Sequence, residues 1–141
     1  MAKVHRWRKQ ATVKPRSIIT FQWILLAGLV LTILNILLHY NALRSMAISK
    51  GESPAGTLLG ILIAIFFYAF FRIGIGKMAS NIMKWVFVIF TAVSVATVPL
   101  NFSAVTSVGV VYASLDIACF ALQVTAAYFL FREDAAKWLK G

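Results

Sequence analysis

Four long apolar blocks leave this chain few ways to fold. They run over about 18–38, 57–75, 85–105 and 108–131. The first, Ile18 to Leu38, holds 21 residues without a charge. As an α-helix it rises roughly 31 Å, enough to cross a hydrocarbon core about 30 Å thick. Barrel strands are shorter, about 9–11 residues, and alternate strictly. Trp23–Leu34 and Leu58–Phe71 are instead apolar on nearly every side. The expected fold is all-α, a four-helix transmembrane bundle with both termini cytoplasmic. Composition agrees: 61% of residues are apolar and 13% charged, and the mean hydropathy is +0.86. A soluble domain has about 45–50% and about 25%.

Residues 1–17 form a basic N-terminal segment, 18–131 the membrane bundle and 132–141 a tail. The first block is too long for the 7–15-residue core of a signal peptide, and no small-residue cleavage site follows, so it reads as a retained span. Pro15 suits the start of a helix there, and Ser17 is placed to accept its orphan amides. Residues 39–56 are expected to form a loop, with Arg44, Lys50, Glu52 and Pro54. Arg72 falls in the last turn of the second span, which Gly74 and Gly76 end. Pro99 interrupts the third block, so helix is expected from Trp85 to about Val98, with continuation past Pro99 left open. Asn101–Ser107 reads as a short uncharged connector. The tail reads as a continuation of the last helix, with Glu133 and Lys137 paired at i, i+4. Its face of Phe131, Ala135, Trp138 and Leu139 lies either along the membrane interface or in solvent.

Charge placement gives the orientation. Of 14 Lys and Arg, six lie in residues 1–17, three around the turn between the second and third spans, and three in the tail, leaving only Arg44 and Lys50 on the other side. This positive-inside bias predicts cytoplasmic ends in a bacterial inner membrane. Trp7, Trp23, Trp85 and Trp138 all fall near that same side, where indole prefers the headgroup boundary. The net charge of +10 suggests anionic lipid headgroups as partners. The contacts expected are Lys3, Arg6, Arg8, Lys9, Lys14, Arg16, Arg72, Lys77 and Lys84. Nucleic acid is not expected, because no basic run lies on a foldable soluble domain.

Chemistry inside the membrane centres on Asp116. A carboxylate at that depth costs about 2.5–3.5 kcal/mol on insertion scales, and such residues usually face the bundle interior and pair. Helical rise places it roughly 5 Å to the outer side of its span's midpoint. Tyr112, Cys119 and Gln123 share its face by spacing. Thr32, Asn35 and His39 form a similar stripe on the first span, and Ser94, Thr97 and Asn101 on the third. Two readings stand: a packing network of interhelical hydrogen bonds, or a polar cavity open to the outer face, with Asp116 as a proton or cation site. A packing network predicts that Asp116→Leu strands polar partners. Gly56, Gly60 and Ala64 form a small-xxx-small ladder for close helix packing, within the chain or in a dimer.

Catalytic signatures are missing: no HExxH, GxxxxGK[ST] or GxSxG occurs. The acidic residues are too few and too scattered for a metal site, and no cofactor is expected. Cys119 is the one cysteine, so no intrachain disulfide can form. An enzyme is not expected. The run from Ala127 to Trp138, AYFLFREDAAKW, resembles the end of small four-span bacterial inner-membrane proteins of unassigned function. That resemblance implies location alone. The functional expectation is a non-enzymatic membrane protein that binds a partner in or at the bilayer, either another membrane protein or a second copy. It would serve as an accessory subunit or an immunity- or exclusion-type factor. The alternative is a small oligomeric proton- or cation-coupled transporter using Asp116.

Overall fold

A computed structural model describes residues 13–139, without the side chains of residues 100, 101 and 103–106. The expected roles of Lys3, Arg6, Arg8, Lys9 and Trp7, and of the Asn101 side chain, lie outside the described residues. Every element in this range is helical: α1 (Arg16–Leu38), α2 (Tyr40–Ser49), α3 (Ala55–Gly76), α4 (Asn81–Val108), α5 (Val110–Leu130) and α6 (Glu133–Leu139). Four of them, α1, α3, α4 and α5, are long and apolar enough to span a membrane. At most 17% of the residues in any span's apolar stretch are buried within the chain. Apolar surface turned outward to this extent suits lipid as the surrounding solvent.

The spans run antiparallel around a square. α1 packs on α5 and α3, and α4 packs on α5 and, less extensively, on α3. The α1–α5 seam is the most extensive. Thr32 meets Cys119 and Asn35 meets Tyr112 in its half remote from α6, and just beyond its other end Ser17 meets Asp134 of α6.

Packing is concentrated at the end that holds α6. Ile18, Phe21, Phe71, Ile75, Phe87, Ala126, Leu130, Ala135 and Leu139 form one buried cluster there. Phe87 is its hub, edge-on to Phe21 at 5.2 Å and to Phe71 at 4.9 Å. Such aromatic pairs add about 0.5–1.5 kcal/mol beyond area burial. At the opposite end, among the described side chains, only Asn35 and Ala113 are buried. Close helix approach also sits at the α6 end. A Cβ on Gly74 would meet Met83 at 2.7 Å, and one on Gly76 would overlap the Gln22 amide. At Gly56 and Gly60 a Cβ would meet nothing within 4 Å. Within the chain, then, the close-packing glycines are Gly74 and Gly76, and the Gly56–Gly60 part of the ladder touches no neighbour.

Four local expectations are corrected. Residues 39–56 are not all loop: α2 continues almost directly from α1 after one irregular residue, His39. Gly51, at φ +74°, ends the turn beyond it in the left-handed conformation favoured for glycine. The 101–107 connector is absent too, because α4 carries on past Pro99 to Val108. Gly109 alone joins α4 to α5, and its φ of +147° is open to glycine and strained for other residues. Ser17 does not cap its own helix. It donates from N and Oγ to the two carboxylate oxygens of Asp134, at 3.1 and 2.7 Å. Lastly, the tail does not extend α5. The chain bends at Phe131–Arg132, and α6 folds back onto α1, burying Ala135 and Leu139. The predicted Glu133–Lys137 pair forms at 2.8 Å.

Asp134 thus latches the tail across the start of α1. The Ser17 hydroxyl holds its carboxyl below the ordinary carboxylate value. The latch is therefore complete above roughly pH 4 and fails as pH falls through that lowered value. Asp134→Ala is expected to cost about 1 kcal/mol, as for loss of a helix cap. It should also speed tryptic cleavage after Arg132 in solubilised protein, read by mass spectrometry. Unchanged cleavage would show that Ala135 and Leu139 hold the tail without the latch.

Candidate functional site

The polar residues of α5 do not form one stripe. Seven residues is two helical turns less about 20°, while four residues is one turn plus about 40°. Tyr112 and Cys119 therefore align on one line, and Asp116 and Gln123 on another beside it. The structure turns these lines toward different neighbours. The first faces α1: Asn35 Nδ2 donates to the Tyr112 carbonyl at 3.3 Å, and Thr32 Oγ1 lies 3.5 Å from Cys119 Sγ. The His39 ring stands edge-on to Tyr112 at 5.3 Å, and its Nδ1 is 3.0 Å from the Asn35 carbonyl. Asn35 is 3% exposed, yet its Oδ1 has no partner.

The second line faces α4. Gln123 Nε2 donates to Thr91 Oγ1 at 3.3 Å. Asp116 opens into a crevice of about 260 Å³ between α4 and α5, lined also by Thr97, Val98, Phe102, Ala113, Ile117 and Phe120. Among the described residues, no hydrogen bond or ion pair reaches its carboxylate. Asp116 is therefore not the node of an interhelical network. The network lies on either side of it, at Thr32–Cys119, Asn35–Tyr112 and Thr91–Gln123. A second cavity of about 140 Å³ lies inside the bundle, where Gly28, Thr32, Ala64, Phe67, Phe90, Cys119 and Gln123 from all four spans meet.

Of the third-span stripe, Ser94 and Thr97 bond to carbonyls of their own helix, Phe90 and Ser94, at 2.8 Å each. Thr97 is brought to Asp116 by the crevice, while Ser94 is not. Thr91, one turn before Ser94, is the polar residue the sequence reading omitted, although the i−3 spacing carried the signal. Ala64 lines the inner cavity. Among the basic residues, Lys14 is half-buried, and Arg16, Arg72 and Lys77 are exposed. Arg72 Nη1 reaches the Tyr68 hydroxyl at 3.3 Å. Lys84 differs from its expected headgroup contact: it is 8% exposed, with Nζ 4.2 Å from the Phe131 ring centroid and 5.5 Å from that of Trp85.

Fold and crevice together define a multi-pass helical membrane protein with a carboxylate between two of its spans that no described residue pairs. No protein-family profile, curated protein or solved structure matches the chain.

The absence of a partner at Asp116 reverses the stability expectation for that residue. Asp116→Leu strands nothing, so thermal stability in detergent should be unchanged or higher. Thr91→Val should instead lower stability, by roughly 0.6 kcal/mol as for an average interhelical bond in a membrane. A Leu variant less stable than the Val variant would contradict the split of the two lines.

Proposed function

We propose that this chain is a non-enzymatic multi-pass membrane protein that acts by binding a partner within the bilayer, through the half of the bundle remote from α6. The observation that carries this reading is the state of α3. From Ala55 to Phe70 it buries no residue, and Leu58, Leu59, Leu62, Ile63 and Phe66 are all more than two-fifths exposed. The helix is held at its far end by Phe71, Gly74, Ile75 and Gly76, with Phe67 stacked on Phe90, and its side bearing Leu58, Leu62 and Phe66 is turned outward to meet another helix. Small residues at Gly56 and Gly60 suit close approach by a second chain. Another membrane protein or a second copy fits this surface, in the manner of an accessory subunit or an immunity- or exclusion-type factor.

The membrane is a bacterial inner membrane in this reading, with both ends cytoplasmic and anionic lipid around the basic side. Support comes from the distribution of Lys and Arg. A second reading, an oligomeric proton- or cation-coupled transporter, is favoured by one observation: Asp116 faces a crevice and no partner.

Two experiments test the first reading in a Cys119→Ser background. For orientation, Ser49→Cys should react with an impermeant thiol reagent added to intact cells and Met78→Cys should not; the opposite pattern reverses the orientation. For the partner face, a photo-crosslinker is attached at Leu62→Cys on α3 or at Ile89→Cys on α4, residues of similar exposure. A discrete protein adduct from position 62 and none from 89 is expected. Lipid adducts alone from both positions would remove the partner-binding reading.

A further inference from the structure

The crevice at Asp116 has a chemistry of its own, which holds whether or not α3 has a partner. Among the described residues, its polar side chains are one carboxylate, Asp116, and one hydroxyl, Thr97. The Thr97 hydroxyl already donates to the Ser94 carbonyl. The other lining residues are Val98, Phe102, Ala113, Ile117 and Phe120. That set decides between kinds of ligand. An inorganic cation stripped of its water needs a shell of oxygen ligands, commonly six or more. The three side-chain oxygens described there, two of Asp116 and one of Thr97, do not supply it. An anion is opposed by the carboxylate. A neutral apolar molecule leaves the carboxylate without a counter-charge in a medium where that is costly. A cation carrying its own apolar substituents suits the described walls together: the charge meets Asp116, the substituents meet Val98, Ala113 and Ile117, and the ring of Phe120 offers a negative face.

Size agrees with such a ligand. The crevice measures about 260 Å³. This admits a small substituted ammonium ion. Access agrees as well: Phe102 at the rim is 51% exposed, and the crevice lies away from the packed end of the bundle.

We propose that the α4–α5 crevice is a binding site for a small monovalent organic cation, an ammonium ion bearing aromatic or aliphatic groups, with Asp116 as its counter-charge.

The test is equilibrium binding to the full chain in lipid nanodiscs. The probes are benzyltrimethylammonium and its uncharged carbon isostere, in which a quaternary carbon replaces the nitrogen. The cation should bind the wild type at least about tenfold more tightly than the isostere, since both charge contacts are lost with the nitrogen. Asp116→Asn, which keeps the side chain's size, should cut that preference to the part the aromatic ring supplies. Phe120→Leu should weaken the cation several-fold and the isostere little. Equal binding of cation and isostere by the wild type would reduce the crevice to an apolar groove and overturn the proposal. So would an undiminished preference in Asp116→Asn, or no cation binding up to millimolar concentration. If Asp116→Asn fails to fold, the wild-type comparison of the two probes together with Phe120→Leu decides the matter.

Discussion

The antiparallel seam between α1 and α5 is the contact on which the other helices depend. It is the most extensive interface of the bundle, with Thr32–Cys119 and Asn35–Tyr112 across the half remote from α6, while Ser17–Asp134 ties the start of α1 to α6. In a bilayer, burying apolar side chains against each other gains little over burying them in lipid. Helix association there rests on close packing and on polar contacts between helices. The α1–α5 seam has both: close apolar packing at the α6 end and polar contacts in the other half. α3 and α4 are secured chiefly at the α6 end. There Phe71 and Phe87 enter the buried cluster, and glycines at 74 and 76 let α3 close on Met83 and Gln22. The result is a bundle clamped at one end and more open at the other.

Long-range composition was legible in the sequence, and local exits from it were not. Span number follows from the length of the apolar blocks, because backbone groups in lipid must be satisfied within the helix. The α2 helix was harder to see. YNALRSMAIS is short and only weakly apolar, and isolated helices of that length are marginal without tertiary support. Its support is its direct continuation from α1 together with its packing on α3 and α4. The 101–107 stretch reads as a connector because Pro99 lacks an amide proton. In a helix interior that costs one hydrogen bond, and membrane helices tolerate the loss. The tail failed as a straight extension for a different reason. Its apolar face of Ala135, Trp138 and Leu139 was recognised, but its partner, the start of α1, lies more than a hundred residues away in sequence.

The candidate site shows the same limit. Residue types and depth pointed to Asp116, and spacing grouped it with Tyr112 and Cys119. A helix face is about 100° wide when it packs into a core. Within that width, an offset of about 40° is enough to send Tyr112 to α1 and Asp116 to α4. Sequence periodicity places residues on a face and leaves open which of two neighbours that face meets. Thr91 and Gln123 illustrate this: each was visible as a polar residue in an apolar span, and only the helix arrangement pairs them.

Separating the clamp from the open half has a consequence for where function can reside. A membrane bundle whose stability rests on one end can hold an unpaired carboxylate at the other without coming apart. The cost of Asp116 then falls on a region whose packing is not needed to keep the helices together. Polar groups placed among Phe21, Phe71 and Phe87 would instead disturb the cluster that holds three spans at once. The polar network agrees with this division. Gln123–Thr91 lies one turn from the aromatic cluster, and each of its two side chains answers the other. Asn35, near the opposite end, keeps a buried oxygen without a partner. Asp116 lies between these two positions along α5, on the side where the chain supplies a crevice in place of a neighbour. A residue that only tied helices together would be placed where a second helix could reach it. Its position is instead that of a group whose counterpart comes from outside the chain.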